Sequence, residues 1–191
     1  MHTTRILLSL VAVPLLAGTA TAGELDLGLG LQATTTGWPD DHGGGPAVDV
    51  SWWFRDWIGA SFIGKEQYAR VDDRFLGYLS FNAACRHTFG PIRATASLGV
   101  VHQHEEPRAA YMDQPLQSLF GVADGIRHRM GARAGGSLAL PLTDHDHGDW
   151  YVALDVDATR FMDTDRGPSW MTSAGLSIGF TYDFSAKAKA K

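Results

Sequence analysis

Alternation of apolar and polar residues with a period of two dominates the chain after residue 22. From Trp170 to Phe184 every second residue except Thr172 is apolar, and the residues between them are small or polar. Such alternation is typical of an amphipathic strand, and this one is longer than the roughly five or six residues usual in soluble sheets. The sequence predicts eight such strands, at residues 25–33, 48–55, 58–62, 75–86, 92–100, 129–140, 150–159 and 170–184.

The connections between these strands alternate in character. The joins near Asp56, Gly90 and Thr143 are short, whereas the others are mostly longer and polar, at residues 37–46, 65–74, 103–125 and 162–168. Short turns on one rim and longer loops on the other are typical of an outer-membrane barrel with periplasmic turns. We therefore expect residues 23–184 to form an all-β, eight-stranded, antiparallel, up-and-down transmembrane barrel.

The segments at the two ends of the chain are expected to lie outside the barrel. Arg5 precedes an apolar run at residues 6–17, and small residues follow at Ala20 and Ala22. This arrangement predicts a cleaved signal peptide at residues 1–22, and hence export, because the apolar run is too short to span a bilayer as a helix. Residues 185–191 are expected to form a Lys-rich periplasmic tail.

The side of the strands that faces inward decides the class of barrel. A soluble lipocalin-like barrel points large apolar groups inward and charged groups to water. Here the polar face is mostly Gly, Ser, Thr and Ala, which suits the crowded interior of a narrow barrel. The pattern favours a membrane barrel, and a periplasmic lipocalin-like carrier or a sandwich is the alternative. Residues expected at the membrane interfaces are Trp52, Trp57, Trp150, Trp170 and Tyr182.

Charged residues on the polar face are expected to pair across the lumen, because an unpaired buried charge is costly. Arg133 and Asp155 flank the same turn and face the same way, so they are the first predicted pair. Eight strands with charged interior side chains leave too little space for a general pore. The predicted inward set is Asp26, Asp49, Asp155, Asp157 and Asp183 with Arg55, Arg86, Arg93, Arg129 and Arg133.

Composition removes several other classes of protein. Of the 21 acidic residues 17 are Asp, whereas a soluble helical domain covers its surface with Glu and Lys. The net charge of −5 gives little support to nucleic-acid binding. A single Cys excludes a disulfide framework and any multi-Cys metal site. No cofactor is expected.

Taken together, the strand pattern resembles that of the small eight-stranded outer-membrane barrels of the OmpA/OmpX type. The aromatic residues Phe180, Tyr182 and Phe184 of the last strand are similar to the C-terminal signal that the barrel assembly machinery reads in that family. The resemblance implies a monomer in the outer membrane of a Gram-negative cell envelope. It also implies contact with outer-membrane lipids and lipopolysaccharide.

Histidines flank the longest loop. Pairing of the fifth and sixth strands places His102 and His104 near His128, on the outward face at the outer-leaflet rim. The resemblance to barrels that deacylate or palmitoylate lipid A implies a catalytic use for such residues. The deacylases carry a His-x-Ser pair on a strand, whereas this chain has His at both positions, and Ser118 lies in the loop. The alternative is that the imidazoles contact phosphates or water.

A second candidate site is the turn between the sixth and seventh strands. Asp144, His145, Asp146 and His147 alternate ligand types that bind Zn²⁺ or a similar ion. A short Asp- and Gly-rich run is also typical of a solvated turn.

Our first expectation for the whole chain is a structural or loop-mediated interaction role without catalysis. The alternatives are a lipid A-modifying enzyme that uses the rim histidines and the lipocalin-like carrier.

Overall fold

The computed structural model describes residues 23–123, 125–143, 148–163, 165 and 167–184. In this part of the chain, eight antiparallel strands pair in chain order and close into a barrel, which confirms the predicted fold. The expected signal peptide and Lys-rich tail lie outside the described residues. The elements are β1 (Glu24–Thr36), β2 (His42–Arg55), β3 (Ile58–Ala69), β4 (Arg74–Phe89), β5 (Ile92–Pro107), α1 (Arg108–Asp113), α2 (Pro115–Leu119), β6 (Arg127–Pro141), β7 (Gly148–Phe161) and β8 (Trp170–Asp183).

Closure of the barrel depends on the pairing of β1 with β8. Their ladder runs without a break from Glu24 opposite Asp183 to Thr36 opposite Met171. An unpaired strand edge in lipid would leave backbone N–H and C=O groups without hydrogen bonds, so closure satisfies them. Within the described residues no helix has the length and apolar character needed to cross a membrane.

The two faces of the strands differ as the alternation predicts. Large apolar residues point outward, and Leu31, Leu98 and Leu176 are each about 70% exposed (71%, 69% and 69%). Polar residues such as Ser80 and Thr159 point inward and are fully buried. This orientation is the opposite of the one that a lipocalin-like carrier needs, so that alternative is wrong.

We call the rim at which β1 begins (Glu24) and β8 ends (Asp183) the turn end, and the opposite rim the loop end. The turn end carries a group of contacting aromatic rings. Trp52 lies 5.3 Å from Phe184 and Trp150 lies 5.3 Å from Phe180, measured between ring centroids. Trp170 begins β8 at the loop end and is half exposed. Aromatic residues therefore lie at both ends of the apolar wall, as membrane interfaces favour.

The loops at the loop end are shorter than the sequence predicts, because the strands extend further. The sequence places loops at residues 37–46 and 65–74, whereas β2 begins at His42 and β3 continues to Ala69. The join at residues 70–73 is a tight turn, since Asp72 and Asp73 adopt left-handed backbone conformations (φ 61° and 46°). Asp is one of the residues that tolerate this conformation in a hairpin turn.

Inside the barrel at the turn end, Asp26 is the centre of a polar network. It accepts hydrogen bonds from Trp53 Nε1 at 2.7 Å and from Thr181 Oγ1 at 2.5 Å. The guanidinium groups of Arg93 and Arg86 lie 3.5 and 3.9 Å from its carboxylate. The expected contact between an inward Arg and an inward Asp is therefore confirmed, with Asp26 serving two arginines.

Lys65 forms an ion pair near the middle of the lumen. Its Nζ lies 2.5 Å from Asp157 Oδ2, and both side chains are almost completely buried. Arg133 NH2 approaches the same oxygen at 3.8 Å. Lys65 is the one Lys of the sequence outside residues 187–191, so it was the one Lys that could have been predicted to lie in the lumen. Sequence reasoning missed it.

The predicted pair of Arg133 with Asp155 is wrong, because Arg133 meets Asp157 instead. Strand register places Asp157 opposite Gly135, two residues from Arg133 on the same inward face. A Cβ at Gly135 would lie 2.4 Å from Arg133 NH2, so the absence of a side chain there gives the guanidinium its path. Asp155 lies one step further away and accepts a hydrogen bond from Ser177 Oγ at 2.7 Å.

Two other arginines of the predicted inward set have different outcomes. Arg55 is exposed, because the β2–β3 register shifts between Trp53 and Arg55 and the irregularity turns the strand end outward. Arg129 points inward as predicted, but its partner is Asp163 in the loop after β7, with Nε and Oδ1 2.9 Å apart.

At the loop end of the lumen, the pair of Arg74 with Glu105 forms a third level of buried ion pairing. Arg74 also contacts Asp41 and donates from Nε to the carbonyl of Val71 at 2.8 Å. Arg127 adds a second cation beside Glu105, with NH2 2.5 Å from Oε1. Ion pairs therefore cross the lumen at the turn end, in the middle and at the loop end.

Candidate functional site at the loop-end rim

The outward face of β5 changes from apolar to polar close to the loop end. Its outward residues from Ile92 to Val100 are all apolar and extend over about the nine to eleven residues that a tilted membrane strand needs. Beyond them, His102, His104 and Glu106 continue the same outward parity. We therefore place these three side chains at the level of the lipid head groups, outside the membrane-spanning segments.

Strand register brings four positions of this level into one row across the outer wall. Glu66 on β3 pairs with Gly77 on β4, Gly77 pairs with His104, and His104 pairs with His128 on β6. Gly77 keeps the middle of the row open, because a Cβ there would lie 3.3 Å from Glu66 Oε2 and 3.7 Å from His104 Nδ1. We name the following side chains the rim cluster: Glu66, His102, His104, Glu106 and His128.

The segment between β5 and β6 covers part of this row. Tyr111 on α1 stacks on the outward ring of Phe75, with centroids 4.4 Å apart. Gly121 has a φ of 68°, and a Cβ there would lie 2.0 Å from His104 Cε1, so glycine is required for this approach. As a result His104 is only 5% exposed although it lies on the outer wall.

The three histidines contact one another. His102 Nε2 lies 3.2 Å from His128 Nδ1, and the ring centroids of the three pairs are 4.7 to 5.2 Å apart. One ring nitrogen from each residue can be chosen so that all three lie within 4.8 Å of one another. His102 Nδ1 also lies 3.1 Å from the sulfur of Met130. The predicted proximity of His102 and His104 to His128 is present.

Burial shifts the protonation of the rim cluster. Desolvation, with a further contribution from the other two imidazoles, lowers the pKa of His104 to about 4. Desolvation, and then the His128 imidazole, lower the pKa of His102. Desolvation, and then the nearby Glu106 carboxylate, raise the pKa of Glu66 to about 7. His102 and His104 are therefore neutral at pH 7 and keep a ring nitrogen free to accept a proton or bind an ion.

Ser118 lies in the same region but pairs with an acid. Its hydroxyl donates to Glu106 Oε2 at 2.9 Å, and both residues are buried. Among the described residues we find no hydrogen bond between a serine and His102, His104 or His128. A serine nucleophile needs such a base within reach, so the catalytic arrangement is incomplete in this conformation.

The other predicted site and the missed residues have simple explanations. Asp144, His145, Asp146 and His147 lie outside the described residues, so their metal binding stays a prediction. Glu66 was missed because the pattern of its strand was followed only as far as residue 62. Continuing the alternation by two steps would have identified a lone carboxylate on an otherwise apolar face.

Comparison with known proteins supports the fold. No family model matches the chain, and no curated protein sequence matches it. Among solved structures, Neisserial surface protein A aligns with a TM-score of 0.56 at 8% identity, covering 85% of this chain and 98% of that chain. Ail, the attachment invasion locus protein of Yersinia pestis, aligns with a TM-score of 0.50 at 13% identity, covering 85% and 98%.

A third similar structure is the N-terminal β-barrel domain of OprF from Pseudomonas aeruginosa. It has a TM-score of 0.50 at 14% identity and covers 85% of this chain and 97% of that chain. At such identities the likeness concerns the fold alone. The fold is that of the small eight-stranded outer-membrane barrels, which confirms the resemblance seen in the strand pattern. The large apolar side chains on the outer wall form the kind of surface that this fold presents to lipid.

Proposed function

We propose that this barrel is a closed outer-membrane anchor that acts through its loop end, with neither a channel nor a catalytic role. The observation that carries the proposal is the filling of the lumen by ion pairs at three levels. A polar cavity separates the turn-end pairs from the middle pair, and it is bordered by Asp26, Arg93 and Arg133. Paired charges interrupt the lumen around this cavity, so we do not expect solutes to pass through the barrel. The loops and the outer rim are then the parts that interact with other molecules.

Conductance measurements test the closed lumen. The folded protein in planar lipid bilayers is expected to show no steady current. A variant with Arg133→Gly and Lys65→Gly removes the side chains at the middle level and is expected to conduct. Arg160→Gln, on the outer wall, is the matched control and should stay silent. Steady current through the unaltered protein would contradict the proposal.

Lipopolysaccharide is the partner that we propose for the outer rim. Arg160 lies on the outer wall near the loop end of β7, with its guanidinium 5.0 Å from the centroid of the Trp170 ring. A cation held on an interfacial aromatic ring suits an anionic lipid head group. Outer-leaflet phosphates would then contact this pair from the membrane side.

The lipid proposal is tested by folding the protein into vesicles of phospholipid with and without lipopolysaccharide. We expect lipopolysaccharide to raise the urea midpoint of unfolding, and Arg160→Gln to reduce this increase. Arg55→Gln changes an exposed arginine at the turn end and should keep the full increase. An equal increase for all three proteins would remove Arg160 from the proposed contact.

Assembly belongs to the same proposal. The aromatic residues Phe180, Tyr182 and Phe184 end the last strand at the turn end, where Tyr182 and Phe184 are 4.7 Å apart between centroids. We propose that this strand end is what the barrel assembly machinery recognises. Phe184→Ala should lower the yield of folded barrel in cells and leave refolding of purified protein in detergent unchanged.

Lipid A modification is the second candidate function. The observation in its favour is that Ser118 belongs to the segment that covers His104, and that its hydroxyl donates to the buried Glu106 carboxylate. Mass spectrometry of lipid A from cells that produce the protein decides between the two functions. We expect an unchanged acyl pattern. A gain or loss of one acyl chain that disappears with Ser118→Ala would establish the enzymatic function and end the proposal of an interaction role alone.

A further inference from the structure

We propose that His102, His104 and His128 bind a divalent transition metal ion, and that Zn²⁺ is the ion that the site fits best. The proposal concerns the outward wall of β5 and β6 and is independent of the lipid contact at Arg160. It differs from the Asp–His turn predicted at residues 144–147, which the sequence places between the sixth and seventh strands.

The geometry is close to that of a three-histidine metal site. Zinc–nitrogen bonds of about 2.0–2.1 Å in a tetrahedral arrangement place two ligand nitrogens about 3.3–3.4 Å apart. His102 Nε2 and His128 Nδ1 are 3.2 Å apart, so this pair already has the required separation. All three chosen nitrogens lie within 4.8 Å, and an inward movement of about 1 Å by side-chain rotation completes the set.

Strand pairing makes the arrangement rigid. His104 and His128 are direct partners across the β5–β6 ladder, and His102 lies two residues along the same face. Gly121 packs against the ring of His104 from outside. Backbone hydrogen bonds on two adjacent strands therefore fix the three Cα positions before any ion arrives, which reduces the entropy that binding must remove.

The chemistry of the surroundings favours a cation with imidazole ligands. The three rings form a cluster in which none is paired with a carboxylate in the described part of the chain, so they do not have the partner expected of structural histidines. Glu66 and Glu106 add carboxyl groups to the same cluster, and neither has an ion-pair partner among the described residues. Ca²⁺ and Mg²⁺ prefer oxygen ligands, whereas imidazole suits Zn²⁺ and its neighbours.

Zinc titration calorimetry on the folded barrel in detergent tests the proposal, using protein without a polyhistidine tag. We expect one Zn²⁺ per barrel, and His104→Gln should weaken binding more than about 100-fold, since loss of a mere supporting residue already costs 10–100-fold. His87→Gln removes an exposed histidine at the turn end and should bind normally. Co²⁺ absorption provides an independent readout, with the strong visible bands of tetrahedral coordination expected only when His104 is present.

Three further arms make the result decisive. A variant with His145→Gln and His147→Gln should keep the full stoichiometry, which separates the rim from the turn. Heat-dependent migration on gels verifies that each variant is folded. His128→Gln, at an exposed position, should abolish the Co²⁺ bands without loss of the barrel. The proposal fails if the unaltered protein binds no Zn²⁺ at 100-fold excess over about 1 µM protein, or if the rim variants bind as tightly as the unaltered protein.

Discussion

Two neighbouring residues at the end of β5 occupy different environments. Glu105 points inward and meets the cations of Arg74 and Arg127. Glu106 points outward, is equally buried, and meets the hydroxyl of Ser118. The same side chain therefore finds full charge compensation on one face of the strand and a neutral donor on the other.

This contrast extends to the whole lumen and the whole rim cluster. The inward acids Asp26, Asp157 and Glu105 lie beside cations, so the chain itself compensates these charges, and we assign the ion pairs of the lumen a structural role. The rim cluster joins two carboxylates to three imidazoles and keeps its ligand atoms available for something from outside the chain. Clusters of titratable side chains outside the lumen are candidates for function, which directs attention to the rim cluster.

The largest effect is expected from breaking the middle ion pair of the lumen. Asp157→Asn leaves the Lys65 ammonium buried beside Arg133 without a counter-charge, so it should destabilise the barrel by about 3–5 kcal/mol. Replacing both residues, with Lys65→Met and Asp157→Leu, should cost less than the single change, since only the Arg133 guanidinium then lacks an acid, whereas Asp157→Asn leaves both cations without one. Urea unfolding of the protein in lipid vesicles measures both. A double variant less stable than the single one would contradict the role of the pair.

The next effect compares the two faces of one strand. Leu176 lies in the middle of β8 and faces lipid between Leu31 and Leu154, so Leu176→Arg should cost about 2–4 kcal/mol. Ser177→Arg places the same cation in the lumen, where the carboxylate of Asp155 is already hydrogen-bonded to Ser177. We expect Ser177→Arg to be tolerated better. Equal losses in folding yield and in urea midpoint at the two positions would remove the distinction between faces.

The fold was largely predictable because alternation of apolar and polar residues with a period of two is compatible with few arrangements of strands in a barrel. Parity alone determined the two faces, and the cost of an unpaired strand edge in lipid determined closure. What parity cannot supply is distance along the strand, so the pair of Arg133 with Asp155 was wrong by one step. The route of that guanidinium depends on the missing side chain at Gly135, which is a packing detail.

The candidate site was predictable only in part. Pairing of β5 with β6 was enough to bring His102, His104 and His128 together. The covering segment was not foreseeable, because α1 and α2 are too short for a helical period to be recognised. The contact of Gly121 with His104 and the bond from Ser118 to Glu106 both depend on that segment. Strand alternation therefore revealed the three histidines but not the segment that covers them.

A moderate effect is expected from loosening the cover of the rim cluster. Ser118→Ala leaves the buried Glu106 carboxylate without its donor, and a hydrogen bond to a charged group contributes about 1.5–3 kcal/mol. We expect faster amide hydrogen exchange in residues 114–122 and an unchanged rate in β1 and β8. Gln117→Ala, at an exposed position on α2, is the control and should leave exchange unchanged. Unchanged exchange in the Ser118 variant would show that the cover does not depend on this bond.

The smallest effect is expected from an ion pair that lies outside both regions. Arg108 NH1 and Asp73 Oδ1 are 3.7 Å apart at the loop end, and their side chains are 57% and 58% exposed. Water screens such a pair, so its coupling energy in a double-mutant cycle with Arg108→Ala and Asp73→Ala should be at most about 0.5 kcal/mol. The backbone N–H of Arg108 donates to the carbonyl of Asp73 at 2.7 Å in either case, which keeps the two segments together.

Raising the salt to 0.5 M should reduce even the small coupling of the Arg108–Asp73 side chains, because the Debye length falls to a few ångströms. The effect of Asp157→Asn in the lumen should persist. If the exposed pair coupled as strongly as Lys65 with Asp157, burial would not be what distinguishes the charges of the lumen from those of the surface.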